Sequence, residues 1–260
     1  MKRMQSLVSS LVVCGIALAM VSTLTAESAI QENAKVERIK GSARYKIGSG
    51  AWQTLKRGDR LKEGTVIETG ADSRVDLVMG TSETPAPRPI VGEVQTYQPT
   101  AEQNMVRIWE NSRLAIDKFV STTTGADVVT DTKLDLQAGH IFGSVKKMTA
   151  ASKYEVKIPS GVAAIRGTVY DMSVEGVIKV LRGSIYLSFI DAAGNSKTQS
   201  VMSQQQFDVR TGVLQPLSNP DKEGMPKIAS QLLAIITSPM ATTFSSDQTL
   251  QNVPSTYAPK

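Results

Sequence analysis

The stretch Tyr154-Glu155-Val156-Lys157-Ile158 places three apolar side chains alternately with two charged ones. Since successive side chains of a β-strand point to opposite faces, this alternation predicts a strand with one buried face and one solvated face. The same pattern recurs from about residue 34, and no segment before Pro220 carries a sustained helical stripe. The sequence therefore predicts an all-β domain. Shorter matches are Val75-Asp76-Leu77, Val106-Arg107-Ile108, Leu114-Ala115-Ile116, Leu134-Asp135-Leu136 and Val177-Ile178-Lys179-Val180.

A weak internal repeat links several of these strands to glycines. The order apolar, polar, apolar, two free positions and Gly fits Val75 to Gly80, Leu134 to Gly139 and Ile178 to Gly183. Each unit is typical of a strand that ends in a turn, since glycine adopts positive φ without a steric penalty. The repeat favours stacked, coiling β layers, in which neighbouring units bury each other's apolar faces. The unequal spacing leaves open a chance match caused by frequent Gly turns.

Composition excludes several kinds of site. The chain has 260 residues, of which 41% are hydrophobic and 5% aromatic, so it can bury a sizeable core and is not a disordered chain. One histidine, His140, and one cysteine, Cys14, exclude sites with several His or Cys ligands and most nucleophilic triads. The sequence contains no Asp-rich calcium loop and no P-loop. We expect no enzyme, no cofactor and no metal site.

Charged and aromatic residues do not indicate a ligand class either. The formal net charge is +5, and the basic residues are scattered rather than clustered, so we expect no nucleic-acid partner. We expect Trp52 and Trp109 to be core or edge plugs rather than a sugar platform. Acidic residues lie at predicted turns or on the polar phase of strands, so we expect them to face solvent and not to form a glycosidase pair. These acidic residues include Asp59, Asp72, Asp76 and Asp117.

Residues 1–26 predict a secretory signal peptide. Lys2 and Arg3 form a basic start, Leu7–Leu24 is an apolar run, and Ala26 is a small residue suited to cleavage. The prediction is a periplasmic or extracellular protein with no membrane span after cleavage. The alternative is an uncleaved segment that anchors the protein in the inner membrane, since a spanning helix needs about 20 apolar residues.

Two regions interrupt the predicted strands. Residues 81–105 are rich in proline, which cannot donate to a β ladder, so we expect an insertion between two strands. The polar tail contains one predicted short helix at about 226–237, with Pro226 at its first turn, and is otherwise expected to be disordered. The expected divisions are a signal peptide at 1–26, a linker at 27–34, a β domain at 35–215 with the insertion at 81–105, and the tail at 216–260.

Two stretches of the chain resemble the FecR domain. Leu55–Gly64, followed by residues 67–77, looks like the opening of that domain, with a Gly-Asp turn, a second Gly and a Thr before a strand. Val162–Asp171 resembles its most recognisable stretch, an Ala-rich strand that runs into Arg-Gly-Thr and an aromatic residue. The resemblance covers roughly Lys35 to Val213 and is interrupted by the insertion. It is carried by Gly58, Asp59, Gly64, Arg166, Gly167, Thr168 and Gly183.

The resemblance implies a β-solenoid-like domain outside the cytosol with no known catalytic residues. Founding members are inner-membrane regulators that receive a signal from an outer-membrane transporter and control a sigma factor. Only Met1–Gln5 precede the apolar run and a polar tail follows the β domain. We therefore expect neither a sigma-factor-binding segment nor a transporter-docking module. We expect a non-enzymatic binding or scaffold module whose partner is an envelope protein or polymer, the alternative being a membrane-tethered signalling protein related to these regulators.

Elementary stereochemistry gives the residues of the resemblance structural roles. Gly58 and Gly64 allow turns with positive φ, and the Asp59 carboxylate can accept a hydrogen bond from its own turn. Gly167 permits the close approach of a neighbouring layer, and Thr168 favours a strand. We expect these residues to specify the fold rather than to contact a ligand.

Overall fold

The computed structural model describes residues 29–80, 103–124, 127–191 and 193–237. The expected signal peptide, most of the Pro-rich insertion and the tail after residue 237 lie outside the described residues. The described part contains seventeen strands and one helix. The strands are β1 (Ala29–Gln31), β2 (Ala34–Lys40), β3 (Ala43–Ile47), β4 (Gln53–Thr54), β5 (Arg60–Leu61), β6 (Thr65–Thr69), β7 (Arg74–Met79), β8 (Asn104–Ile108), β9 (Arg113–Thr124), β10 (Asp127–Ala138), β11 (His140–Ser144), β12 (Lys153–Ile158), β13 (Gly161–Ser173), β14 (Val177–Ile190), β15 (Ser196–Met202), β16 (Gln205–Asp208) and β17 (Val213–Pro216), and the helix is α1 (Asn219–Thr237).

The strands form one sheet that curls back on itself into two layers. In the first layer the neighbouring strands are β4, β3, β6, β9, β10 and β12, with β1 also paired to β9. In the second layer they are β5, β2, β7, β8 and β11. Both layers continue through β13 and β14, after which β15 completes the first layer and β16 and β17 complete the second.

β13 and β14 are long because each runs through both layers. Residues 161–164 of β13 pair with β12 in the first layer, and residues 169–173 pair with β11 in the second. The pairing of β13 with β14 shifts register between Arg166 and Val169. A bulge bends a strand and increases its twist, so this irregularity marks the corner at which the hairpin passes from one layer to the other.

A single hydrophobic cluster lies between the two layers. The first layer contributes side chains such as Leu114 and Val156, and the second contributes Leu77 and Ile108, all at 0% exposure. These residues occupy every second position of their strands, as the alternation in the sequence predicts. The expectation of a mostly β fold is confirmed.

The finer expectation of a β-solenoid is not confirmed. The strands range from 2 residues in β4 to 14 residues in β14, rather than forming uniform rungs. The three glycines of the repeat, Gly80, Gly139 and Gly183, all have positive φ. Gly80 and Gly139 follow the ends of β7 and β10, whereas Gly183 lies inside β14 at the layer corner. The repeat therefore marks bends of the sheet, of which only some are turns.

The helix α1 packs on the outer face of the second layer. Met225 and Leu232 of α1 lie in a second hydrophobic cluster with sheet residues such as Met105 and Phe142. The helix begins at Asn219, seven residues before the expected start at 226, because Ser218 caps it. The Ser218 hydroxyl accepts a hydrogen bond from the Asp221 N–H at 3.3 Å. α1, the helix of the described residues, is not long and apolar enough to cross a membrane.

Candidate interaction site

A row of charged side chains crosses the outer face of the second layer beneath α1. The strand register places Asp76 opposite Arg107, Arg107 opposite Phe142, and Phe142 opposite Asp171. Asp171 in turn lies opposite Lys179. Because side chains at directly opposite positions share a face, five strands or strand segments bring these residues into one line. We call this line the charged row.

Asp76 and Arg107 form a fully buried ion pair at one end of the charged row. The Arg107 Nε donates to Asp76 Oδ1 at 2.6 Å and its Nη2 donates to Oδ2 at 3.0 Å. Both side chains are 0% exposed. This two-point geometry suits a planar guanidinium and a carboxylate, and it offsets part of the large cost of removing both charges from water.

The helix and a tryptophan complete the surroundings of Arg107. Its Nη1 donates to the Gln231 Oε1 of α1 at 2.9 Å. Its guanidinium carbon lies 5.4 Å from the ring centroid of Trp109, within the range of a cation–π contact. Each of the three guanidinium nitrogens therefore has a hydrogen-bond partner within the fold, which indicates a structural cation rather than one held ready for an anionic substrate.

His140 is connected to this ion pair through Trp109. Its ring stacks on Trp109, with 5.5 Å between the centroids and 20° between the planes. Burial lowers the pKa of His140, although Glu175 and Glu110 oppose this effect. The ring is therefore neutral at pH 7. Among the described residues there is no group of three or more His, Cys, Asp or Glu side chains that could hold a metal ion.

The other end of the charged row contacts the start of α1. The Lys179 Nζ lies 2.7 Å from the Asp221 Oδ1, which joins the second layer to the first turn of the helix. The Lys179 ammonium, together with a hydrogen bond from Ser218, lowers the pKa of Asp221 despite burial. Burial raises the pKa of Asp171 to about 6, with Asp221 adding to the effect and Lys179 opposing it. The Asp171 carboxyl therefore titrates near neutral pH.

The residues of the Arg-Gly-Thr stretch lie together at the layer corner. Gly167 has φ +62° and Gly183 has φ +93°. The Thr168 hydroxyl is within hydrogen-bond distance of the carbonyl oxygens of Arg166, at 2.9 Å, and Ser184, at 2.8 Å. It also accepts from the Ser184 N–H at 3.2 Å. With Thr168 at 0% exposure, this network fixes the bulge between β13 and β14.

The other side chains of the expected set lie apart from the charged row. Arg166 is exposed and donates to the Met148 carbonyl at 3.2 Å. Gly58 and Gly64 have φ of +92° and +81° in the turns around β5. The Asp59 Oδ2 accepts from the Lys56 N–H at 2.8 Å, as an Asp in such a turn does. The structure therefore brings only the corner residues together.

The sequence-based expectation for Asp76 is wrong, and the ion pair was not identified from the sequence. Asp76 occupies the polar phase of β7, which predicts a solvent-facing side chain, but it is 0% exposed because α1 covers that face. Its partner Arg107 is 31 residues away along the chain, across the insertion. The only local signal is that Arg107 alternates with Met105 and Trp109 on one face of a strand, which is unusual for a solvated cation.

The two tryptophans lie at separate places in the sheet and do not form a shared platform for a sugar. Trp109 stacks on His140 as described above, and its indole N–H is buried without a hydrogen-bond partner among the described residues. Trp52 lies under two cations, with the Arg44 guanidinium carbon 4.6 Å and the Lys46 ammonium 5.1 Å from its ring centroid. The two indoles belong to different layers of the sheet, so they do not form a joint surface for a sugar.

Comparison with protein families gives a match to the part of the chain that contains the layer corner. Residues 93–186 match the family model described as FecR protein. The resemblance expected from the sequence is thereby confirmed. The matched range includes Arg166, Gly167, Thr168 and Gly183, whereas the Gly-Asp turn at Gly58 precedes it. No curated protein matches the chain.

Two crystal structures align with part of the chain, both of a protein from Parabacteroides distasonis described as a "putative anti-sigma factor". One is 10% identical and has a TM-score of 0.32, with 45% of this chain and 52% of the other covered. The second is also 10% identical and has a TM-score of 0.35, with 51% of this chain and 57% of the other covered. The chain thus spans little more than half the length of these structures.

Proposed function

We propose that this chain, which carries a FecR domain over residues 93–186, is an exported, non-enzymatic protein that acts as a binding or scaffold module in the periplasm or cell envelope. The family match is the observation that carries the proposal, because it covers strands of both layers and the corner that joins them. The basic start and apolar run of residues 1–26 support export.

The polar groups of the sheet support a role in shape recognition rather than reaction. On the outer face of the first layer, Lys118 pairs with Asp131 at 2.6 Å and Lys133 with Glu155 at 3.4 Å across neighbouring strands. Such partly exposed pairs contribute little to stability and are typical of a solvated face. In the second layer, Arg107 pairs with Asp76 and donates a hydrogen bond to α1. These charged side chains are thus paired within the protein.

The edge strand β15 is the contact surface that we propose for an envelope partner. It pairs with β14 along seven residues, from Ser196 to Met202, and is the last strand of the first layer. Unpaired backbone groups of an edge strand accept a further extended strand, which gives affinity through main-chain hydrogen bonds. β15 contains no proline and one cation, Lys197, so its sequence does little to prevent such pairing.

Cell fractionation and N-terminal mass spectrometry test the exported location. We expect the protein to be released by osmotic shock and to begin near Glu27. Recovery in the membrane fraction with Met1 still present would contradict this proposal and favour a membrane-tethered protein. A cytosolic marker enzyme and a known periplasmic protein, followed in the same fractions, control for cell lysis.

Site-specific photo-crosslinking in intact cells tests the edge strand. We expect a crosslinking amino acid at Thr198, exposed on β15, to form adducts with an envelope component. The matched control is Lys157, which is exposed on the interior strand β12. Adducts of equal yield at both positions, or none at Thr198, would contradict the assignment of β15 as the contact surface.

A further inference from the structure

We infer that the outer face of the second layer is a docking site for an amphipathic helix of a partner protein, and that α1 occupies this site until the partner helix replaces it. The inference rests on the proposed function, since it names a second surface of the same binding module. We call this surface the covered face. It consists of Asp76, Val78, Met105, Arg107, Phe142, Val169, Asp171 and Lys179.

The chemistry of the fitting helix can be read from α1. Met225 and Leu232, at 3% and 0% exposure, pack on the apolar centre of the covered face. Asp221 contacts Lys179 at one end of the charged row, and Gln231 accepts from Arg107 at the other. These two polar residues are ten positions apart, which spans about 15 Å of α-helix. The partner helix would therefore carry a carboxylate, an apolar stripe and a side-chain oxygen acceptor at this spacing.

The ion pair under α1 favours a face that exists both covered and uncovered. A permanent helix–sheet interface gains nothing from a buried Asp76–Arg107 pair, because apolar residues of similar volume are often as stabilising or more so. When α1 leaves, the pair regains water, so less of the newly exposed face is apolar than if these two positions held apolar residues. Arg107 also keeps its two hydrogen bonds to Asp76, since only the Gln231 contact belongs to the helix.

The attachment of α1 permits its release without loss of the sheet. α1 follows β17, and the described strands all precede it, so its displacement breaks no strand pairing. Gly224 and Pro226 lie inside the helix. Glycine lowers helix stability, and proline removes one backbone hydrogen bond and clashes with the preceding turn. The stability of α1 thus comes mainly from the covered face, which another helix could also use.

A peptide-binding experiment tests the covered face directly. In the full chain, Leu232→Asp introduces a charge into the apolar contact and should release α1 from the sheet. We expect a fluorescent peptide of residues 219–237 to bind this variant saturably and to bind the unmodified chain at least tenfold more weakly, because the tethered α1 competes at high effective concentration. Leu233→Asp is the matched control, since Leu233 is 40% exposed on the same helix. The control chain should behave like the unmodified one.

Variant peptides test the polar contacts that define the partner. Asp221→Lys and Gln231→Lys each place a cation near Lys179 or Arg107, and each should weaken peptide binding at least tenfold. Lys222→Gln, at an exposed position of α1, should leave it unchanged. Equal binding of all four peptides would contradict the specified chemistry. A concentration-dependent dimer of the unmodified chain that Leu232→Asp abolishes would make a second copy the occupant and contradict a partner helix.

Hydrogen exchange on the unmodified chain gives an independent answer if the variant fails to fold. We expect amides of residues 228–236 to exchange at least 100-fold faster than those of β8 and β11, because α1 opens without global unfolding. Equal protection of the helix and these strands would overturn the inference, as would the absence of peptide binding to a folded Leu232→Asp chain. Neither result would affect the export and β15 crosslinking tests, so the failure of this inference and that of the proposed function are distinguishable.

Discussion

At the scale of single residues, the layer corner requires glycine for two separate reasons. Gly183 has φ +93°, a region that L side chains rarely adopt. A Cβ at this position would lie 2.5 Å from the Gly167 carbonyl oxygen and 2.7 Å from the Thr168 hydroxyl. Both atoms are held by the bulge, so neither can move without disturbing the pairing of β13 with β14.

We predict that Gly183→Ala destabilises the protein by about 3 kcal/mol or more, since backbone strain at such a φ costs about 1–3 kcal/mol and the clash adds to it. Gly212→Ala is the matched control, because Gly212 has φ +67° and no atom lies within 4 Å of the place that an added Cβ would take. Urea denaturation measures both variants. Equal losses would mean that the corner contributes strain but no close packing.

Asp171 gives the covered face a dependence on pH. Its pKa rises from the ordinary value of 3.8 to about 6 because burial disfavours the carboxylate. The folded state therefore binds the proton more tightly than the unfolded state, and the resulting stability is fully present below about pH 3.8 and lost as the pH rises through about 6.

We predict that Asp171→Asn stabilises the protein by about 2–3 kcal/mol at pH 8, by removing the cost of a buried charge, and that this gain falls towards zero near pH 4. Thermal unfolding at a series of pH values measures the difference from the unmodified chain. Asp127→Asn, at an exposed position of β10, should give no such pH-dependent difference. A gain that stays constant from pH 4 to pH 8 would rule out titration of Asp171 as its source.

At the scale of elements, β7 and β8 are joined by backbone pairing and by the Asp76–Arg107 ion pair. We predict that Arg107→Met costs about 3–5 kcal/mol, because it leaves the Asp76 carboxylate buried and unpaired. The double variant Asp76→Leu/Arg107→Met should recover most of this loss, since no unpaired charge remains. Chemical denaturation of the two single variants and the double variant completes the cycle.

An exposed ion pair provides the control for this cycle. Arg210 and Asp208 lie 3.1 Å apart, but the Arg210 side chain is 62% exposed. Arg210→Met should therefore cost far less stability than Arg107→Met. If the Arg107→Met loss were equally small, or if the double variant were no more stable than Arg107→Met, the ion pair would not be the reason for the coupling between the two strands.

The elements also show which part of the site the sequence could predict. Alternation predicted β12, because this signal depends on a short-range pattern. The burial of Asp76 depends on α1, which begins 143 positions later in the chain, at Asn219. Local pattern assigns a charged residue on a strand to solvent, and only tertiary packing reverses that assignment.

At the scale of the whole molecule, the Pro-rich insertion lies between strands that are already neighbours. Met79 of β7 pairs with Asn104 of β8. Deletion of residues 82–103 would leave Gly80 and Thr81 as a two-residue loop, and a glycine in the first position suits a tight hairpin turn. We predict a melting temperature equal to or above that of the full chain, because a shorter loop costs less entropy to close.

Circular dichroism and thermal melting measure the fold and the melting temperature of the deletion variant. Capture of envelope components by the folded variant then tests whether the insertion is a contact surface. Unchanged capture would exclude the insertion as a contact surface, whereas loss of the β spectrum would contradict its separation from the fold. Removal of the same number of residues from within β13 and β14 should abolish folding, since those strands belong to both layers.

The overall arrangement was only partly within reach of the sequence. Frequent glycines and alternating strands predict an all-β domain with stacked, coiling layers; the mostly β fold is confirmed, whereas the stacked layers of a solenoid are not. The long strand β14 resembles two short strands in sequence, because Gly183 occupies the turn position of the repeat. Whether a glycine ends a strand or bends it depends on which strands flank it in space, and that information is not local.

The β13–β14 hairpin has a mechanical consequence. Because β13 and β14 belong to both layers, neither layer can separate from the domain while the other stays intact. A force that pulls on the ends of the domain would act on the whole β13–β14 hairpin. The backbone hydrogen bonds on either side of the bend would share this force. We expect such a domain to unfold in one abrupt step under load, with little gradual extension beforehand.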